Sequence, residues 1–236
     1  MLVILIISQN QLQLSGSGGF RAVVPSEWSF YQEDNDRAVV SGPLWGFDGS
    51  FRSGMFGVGA EFLTGSFSSM EVHKHNTGDV EEVEADLDRM DFALEGKVYP
   101  SDFYLGLLFV YHSETWESQQ WWGNLTFRHY GNSLGFSAGY QMPPRHMALS
   151  PKFWGAIGYF TGERRTIVNH PWGQTTDTDE GEGARFAGEI GLSYHYKPIY
   201  LNLGFMGQGL VARFGDDTVT SHSNLWGLYF GAGAYF

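Results

Sequence analysis

The chain has no cysteine, so neither a disulfide framework nor a thiolate metal site is open to it. It also lacks any apolar run near the roughly 18 residues that a membrane-spanning helix needs. Positive charge is scarce, with 14 Lys+Arg against 26 Asp+Glu and a formal net charge of −12. Nucleic acid requires a basic footprint, and anionic lipid surfaces attract polybasic faces, so neither is an expected partner. Charged residues of both signs make up only 17% of the chain, while aromatics reach 17% and glycines number 32. From residue 20 onward strand-like runs alternate with turn signals, and no segment holds a helical period for long.

The clearest of these runs is the last, residues 226–236 (WGLYFGAGAYF). Counting back from Phe236 in twos gives Ala234, Ala232, Phe230, Leu228 and Trp226, an apolar face that is aromatic at both ends. The other face is Tyr235, Gly233, Gly231, Tyr229 and Gly227. A period of two is that of a strand, and aromatic ends suit a strand crossing lipid between two interfacial girdles. Phe103, Leu105, Leu107, Phe109 and Tyr111 repeat the pattern, as do Phe186, Ile190, Leu192 and Tyr194. The slightly negative mean hydropathy of −0.22 is compatible with such strands, because lumen-facing polar residues dilute each one.

A chain that ends on Phe after alternate apolar residues resembles the C-terminal signal of Gram-negative outer-membrane β-barrel proteins. The resemblance implies a transmembrane, antiparallel, up-and-down β-barrel in the bacterial outer membrane. Its last strand would be read by the barrel-insertion machinery and pair with the first. The strand count is expected to be even. Taking Gly131-Asn132, Thr161-Gly162-Glu163 and Lys197-Pro198 as tight turns gives about twelve strands, with ten as the fallback. Residues 20–30 form the weakest run, interrupted by Pro25, and residues 33–36 read as a polar loop. Residues 69–82 and 171–182 read as long outer loops. Residues 1–19 are set apart as an N-terminal flexible or residual targeting segment, with the apolar run 2–7 and the connector 15–19 (SGSGG); residues 20–236 form the barrel.

Residues 83–97 change phase: Val83, Ala85 and Leu87 alternate with Glu84, Asp86 and Asp88, after which Met90, Phe92 and Leu94 carry the apolar face. A β-bulge near Asp88 accounts for that slip. The resulting phasing points Asp48, Glu61, Glu84, Asp86, Asp88, Asp91, Glu95 and Glu189 into the lumen, with Arg52, Lys97, Arg128 and Arg185. Charges inside a barrel are costly unless hydrated or paired, so they imply a water-filled path or a salt-bridged plug. Interior glycines leave room for Tyr104, Trp122, Tyr200 and Tyr229.

The acids of this set outnumber the bases, so a small porin-like channel with a modest cation preference is one expectation. A plugged barrel anchoring a partner envelope complex is another. A lipid-acting envelope hydrolase is a third. His129-Tyr-Gly-Asn-Ser133 is similar to the His-x-Ser-Asn stretch of outer-membrane lipid A deacylases, with Gly131 where the serine would stand. His112-Ser113-Glu114 has catalytic residue types, but adjacent strand residues face opposite ways. His73 and His75, beside Asp79, Glu81 and Glu82, are candidates for a divalent cation, and the acidic residues 175–182 could hold calcium weakly. No cofactor is expected, and outer-membrane lipid is the expected partner.

Overall fold

The computed structural model describes residues 14–31, 37–120, 123–141, 147–196, 198–215 and 221–236. Among them run ten strands: β1 (Leu14–Tyr31), β2 (Arg37–Ser53), β3 (Phe56–His73), β4 (Val80–Val98), β5 (Phe103–Gln120), β6 (Gly123–Gln141), β7 (Met147–His170), β8 (Gly173–Tyr196), β9 (Ile199–Phe214) and β10 (Ser221–Tyr235). Each pairs antiparallel with its sequence neighbours, and β10 pairs with β1 to close the ring. Closure leaves no unpaired sheet edge, the condition for β-structure in a lipid phase. The run at residues 2–7, the loop at 33–36 and Trp122 lie outside the described residues.

Ten strands rather than twelve follow from two glycines. Gly131 and Gly162, each taken as part of a tight turn, are cross-strand partners in the unbroken β6–β7 ladder. A Cβ on either would meet the Phe160 ring at 2.5 Å. These glycines serve a close approach within the wall, not a reversal of the chain. Likewise residues 171–182 are no long loop. The β7–β8 ladder runs to His170↔Gly173, so the acidic segment is the first half of a strand. Residues 69–82 form the end of β3, a short turn and the start of β4. Residues 15–19 belong to β1, paired with β2 throughout and with β10 from Ser17 onward, and are not a connector. Pro25 lies at a register shift between Val23 and Ser26 in both β1 ladders. A bulge accommodates a residue that cannot donate to the ladder.

The strands change character along their length. In the half nearest the termini, the exposed side chains are large and apolar. They include Phe47, Val58, Leu105, Leu107, Leu134, Phe136, Ile157, Ile190, Leu201 and Phe230. From Phe103 to Tyr111 this belt extends about 27 Å along β5 at about 3.4 Å per residue, near the apolar band height of a membrane barrel once strand tilt is allowed for. Beyond it the pattern inverts. Ala85 and Leu87 are buried while Glu84, Asp86 and Asp88 are exposed. The slip on β4 is therefore the boundary between lipid and water, and the β4–β5 ladder runs through it without a shift. A bulge does occur on β4, in its ladder with β3: one residue of β3, Ser68, stands against two of β4, Ala85 and Asp86, just beside the expected position. Above the boundary the barrel obeys the rule of water-soluble proteins, with apolar residues inside.

A ring closed by ten ladders should resist detergent at room temperature. The folded protein is expected to require detergent or lipid for solubility and to change gel mobility on boiling. A monodisperse, strand-rich preparation without detergent would contradict a lipid-facing belt.

Candidate functional site

The interior is built in three tiers. The lowest surrounds a cavity of about 140 Å³ whose walls include Asp48, Glu95, Tyr104, Ser150, His195 and Tyr235. Glycines make room for its large rings. Tyr104 packs over Gly139, and Tyr200 over Gly19 and Gly233. Tyr200 also donates to Asp48 at 3.3 Å. Lys97 pairs with Glu95 at 2.8 Å, and the Arg52 guanidinium lies over the Tyr99 ring.

The middle tier is a network of ion pairs. Arg21 donates to Glu61 at 3.1 Å and to Glu189 at 2.7 Å, and Lys152 lies 2.9 Å from Glu189. Trp154 donates its indole N–H to Glu189 at 3.0 Å. Beside them, Arg89 reaches Asp91 at 3.1 Å and Glu114 at 2.8 Å, while Arg185 donates to Asp91 at 3.1 Å. Arg89 and Arg185 share Gln208. His112 Nδ1 is 2.7 Å from Asp91. Charges this deeply buried persist only when paired and hydrogen-bonded. Here each acid has a cation and each cation an acid.

The upper tier is apolar. Val23, Trp28, Val40, Leu44, Leu87 and Leu225 are almost wholly buried and belong to one cluster. Phe160, Leu210, Ala212 and Phe214 make a second. Trp28 ties this tier to the network, donating to Ser223, which donates to Glu114.

Of the residues expected to line the lumen, Asp48, Arg52, Glu61, Asp91, Glu95, Lys97, Arg185 and Glu189 point inward. Glu84, Asp86, Asp88 and Arg128 do not. All four are exposed on the outer wall, and Arg128 lies 4.0 Å from Glu117 there. They stand above the lipid boundary, where polar residues face out. Sequence reasoning missed Arg21, Arg89 and Lys152, and it singled out His112, Glu114 and His129 as catalytic residue types without placing them in the lumen. Their signal was a charged residue on the apolar-poor face of a strand, visible once the correct phase is known. With them included, inward acids and bases balance, and the excess of acids disappears.

His129 and Ser133 both point inward and are buried. His129 sits against the Phe160 and Phe214 rings, so it does not face lipid. His112 and Glu114 share the interior face and approach to 3.1 Å, with Ser113 on the other face of the strand. His73 ends β3 near Glu71 and His75 lies in the following turn. Among the described residues, the donor atoms that cluster within 4.8 Å are those of His112, Glu114 and His129. Glu114 already accepts from Arg89 and Ser223, so a cation there would compete with an arginine.

No protein-family model and no curated protein sequence matches the chain. Solved structures do. The outer-membrane protease OmpT of Escherichia coli aligns over 96% of this chain and 98% of its own, at 10% identity and a TM-score of 0.54. The translocator domain of the autotransporter NalP of Neisseria meningitidis aligns over 100% of this chain and 92% of its own, at 13% identity and a TM-score of 0.44. With its closed antiparallel ring, its apolar belt and the first of these likenesses, the chain has the fold of the Gram-negative outer-membrane β-barrels.

Proposed function

We propose that the protein is an integral barrel of the bacterial outer membrane whose lumen is plugged, and which acts as a rigid envelope scaffold and not as an open pore. One observation carries this reading: ion pairs and then an apolar layer occupy successive levels of the interior. An ion would have to part Arg21 from Glu189 and then cross a layer holding Trp28 and Leu44, each at most 2% exposed. Desolvating a permeant charge against apolar side chains is costly. The scaffold reading places its working surface outside the lipid. There the long β7–β8 hairpin projects beyond the belt, with Trp172 exposed near its tip, and offers a surface to a partner envelope protein. The terminal strand remains the segment offered to the insertion machinery.

A second reading, a narrow porin-like channel, is favoured by the cavity in the lower half, lined by polar and charged side chains such as Asp48, Glu95 and Lys97; it requires the upper layer to move. Planar-bilayer recording separates the two. The expected result is no steady conductance from protein verified as folded by its gel mobility. A stable current would support the channel. The balance of inward charge then predicts weak selectivity, in place of the cation preference that an acidic lumen would give. A barrel of this size would in any case pass far less than the 16–18-stranded porins.

A further inference from the structure

Ser150, near the start of β7, and His195, near the end of β8, both point into the lower cavity. Ser150 Oγ lies 3.1 Å from His195 Nε2. The other ring nitrogen, His195 Nδ1, lies 2.5 Å from the Tyr235 hydroxyl, and the Tyr235 ring stacks on the imidazole at 5.7 Å. A serine within hydrogen-bond reach of an imidazole, itself oriented by a third group, is the arrangement of an activated nucleophile. The order along the wall follows from the ladder: Ser150 pairs with Ser193, two residues from His195 on the same face. β10 brings Tyr235 to the same place because the wall curves across β9, whose Tyr200 pairs with His195 on one side and Gly233 on the other.

We infer that Ser150 is a nucleophile, with His195 as its general base, for the hydrolysis of small acyl esters in the lower cavity. With Nδ1–H donated to Tyr235, Nε2 is free to accept the Ser150 proton. Ser150 Oγ attacks the ester carbonyl carbon as that proton passes to His195. Collapse of the adduct breaks the bond to the alcohol, which leaves with the proton from His195. Water, deprotonated by the same imidazole, then attacks the acyl-serine and returns the serine and a free acid. The size of the site sets the substrate class. A cavity of about 140 Å³ is roughly ten times the minimum that admits one water, which suits a short acyl group. Tyr235 acts through His195 as a positioning residue. This inference goes beyond the scaffold reading and is independent of it, because a plugged barrel and a conducting one would share the lower cavity.

The test is covalent labelling of the full chain, folded in detergent, with a fluorophosphonate. The serine oxygen displaces fluoride from phosphorus, and the adduct is mapped by peptide mass. The expected adduct is on Ser150 of the wild-type protein, so the primary result needs no variant. Ser150→Ala should abolish it, and His195→Ala should slow it by about 100-fold or more, the usual worth of a general base. Ser113→Ala and Ser133→Ala should label as wild type. With p-nitrophenyl butyrate, Tyr235→Phe should lower kcat and leave KM unchanged, a split that mere loss of folded protein would not give. Absence of a Ser150 adduct in heat-modifiable protein would overturn the proposal. So would labelling whose rate is the same in folded His195→Ala.

Discussion

Replacing Glu189 with alanine should destabilise the barrel by about 3–5 kcal/mol, the cost of breaking a buried ion pair from one side. Its carboxylate is fully buried and accepts from Arg21 at 2.7 Å and from the Trp154 indole, with Lys152 at 2.9 Å. Removal leaves two cations and an indole N–H facing one another across a low-dielectric interior. Glu189→Gln should cost less, because an amide oxygen still accepts from Arg21 and Trp154. Urea titration of protein refolded into lipid vesicles, followed by tryptophan fluorescence, measures the difference. Glu84→Ala, on the exposed outer wall, should fall within about 0.5 kcal/mol of wild type. If Glu189→Ala cost no more than that control, the interior would be hydrated and the plug reading would fail.

The absence of native cysteine permits a direct measurement of which way β4 faces. A single cysteine at Asp86 should react to completion with a water-soluble maleimide on the folded, membrane-inserted protein. One at the neighbouring Leu87, 1% exposed inside the upper barrel, should stay unlabelled until the protein is denatured. A third at Leu107 should also be protected, though its parent side chain is 58% exposed, because lipid covers it and maleimide reacts with the hydrated thiolate. Labelling at 87 with protection at 86 would restore the opposite phase and return the acids to the lumen. The contrast between 87 and 107 also separates burial by protein from burial by lipid, since only the latter changes when detergent replaces the bilayer.

Consequences for conduction follow from the same facing. With Glu84, Asp86 and Asp88 outside, the charge that would have selected cations lies on the water-exposed outer wall. Inside, Arg89 from β4 and Arg185 from β8 meet Asp91, and no strand supplies both members of the Arg21–Glu189 or Arg185–Asp91 pairs. Such a network holds the walls together across the lumen and gives the barrel a fixed cross-section.

The amino-acid sequence alone determined that the chain is built of lipid-facing strands, and the resemblance carried by its C-terminal strand implied the closed barrel. Period-two alternation with bulky apolar residues on one face is a local property, visible at 226–236 and 103–111 without any partner strand. It also determined that glycine would sit where rings pack, as at Tyr104, Tyr200 and Tyr229. The tertiary structure decided the strand number, because Gly131 and Gly162 are indistinguishable from turn residues until their backbones are seen paired. It decided the phase of β4 as well. An apolar residue faces outward in lipid and inward in water, so the same alternation changes meaning at a boundary the sequence does not mark. Finally, only closure of the ring through β1 and β10 could bring Arg21 to Glu189, and only the curvature of the wall across β9 brings His195 to Tyr235. No local pattern encodes a contact whose geometry is set by the circumference of the barrel.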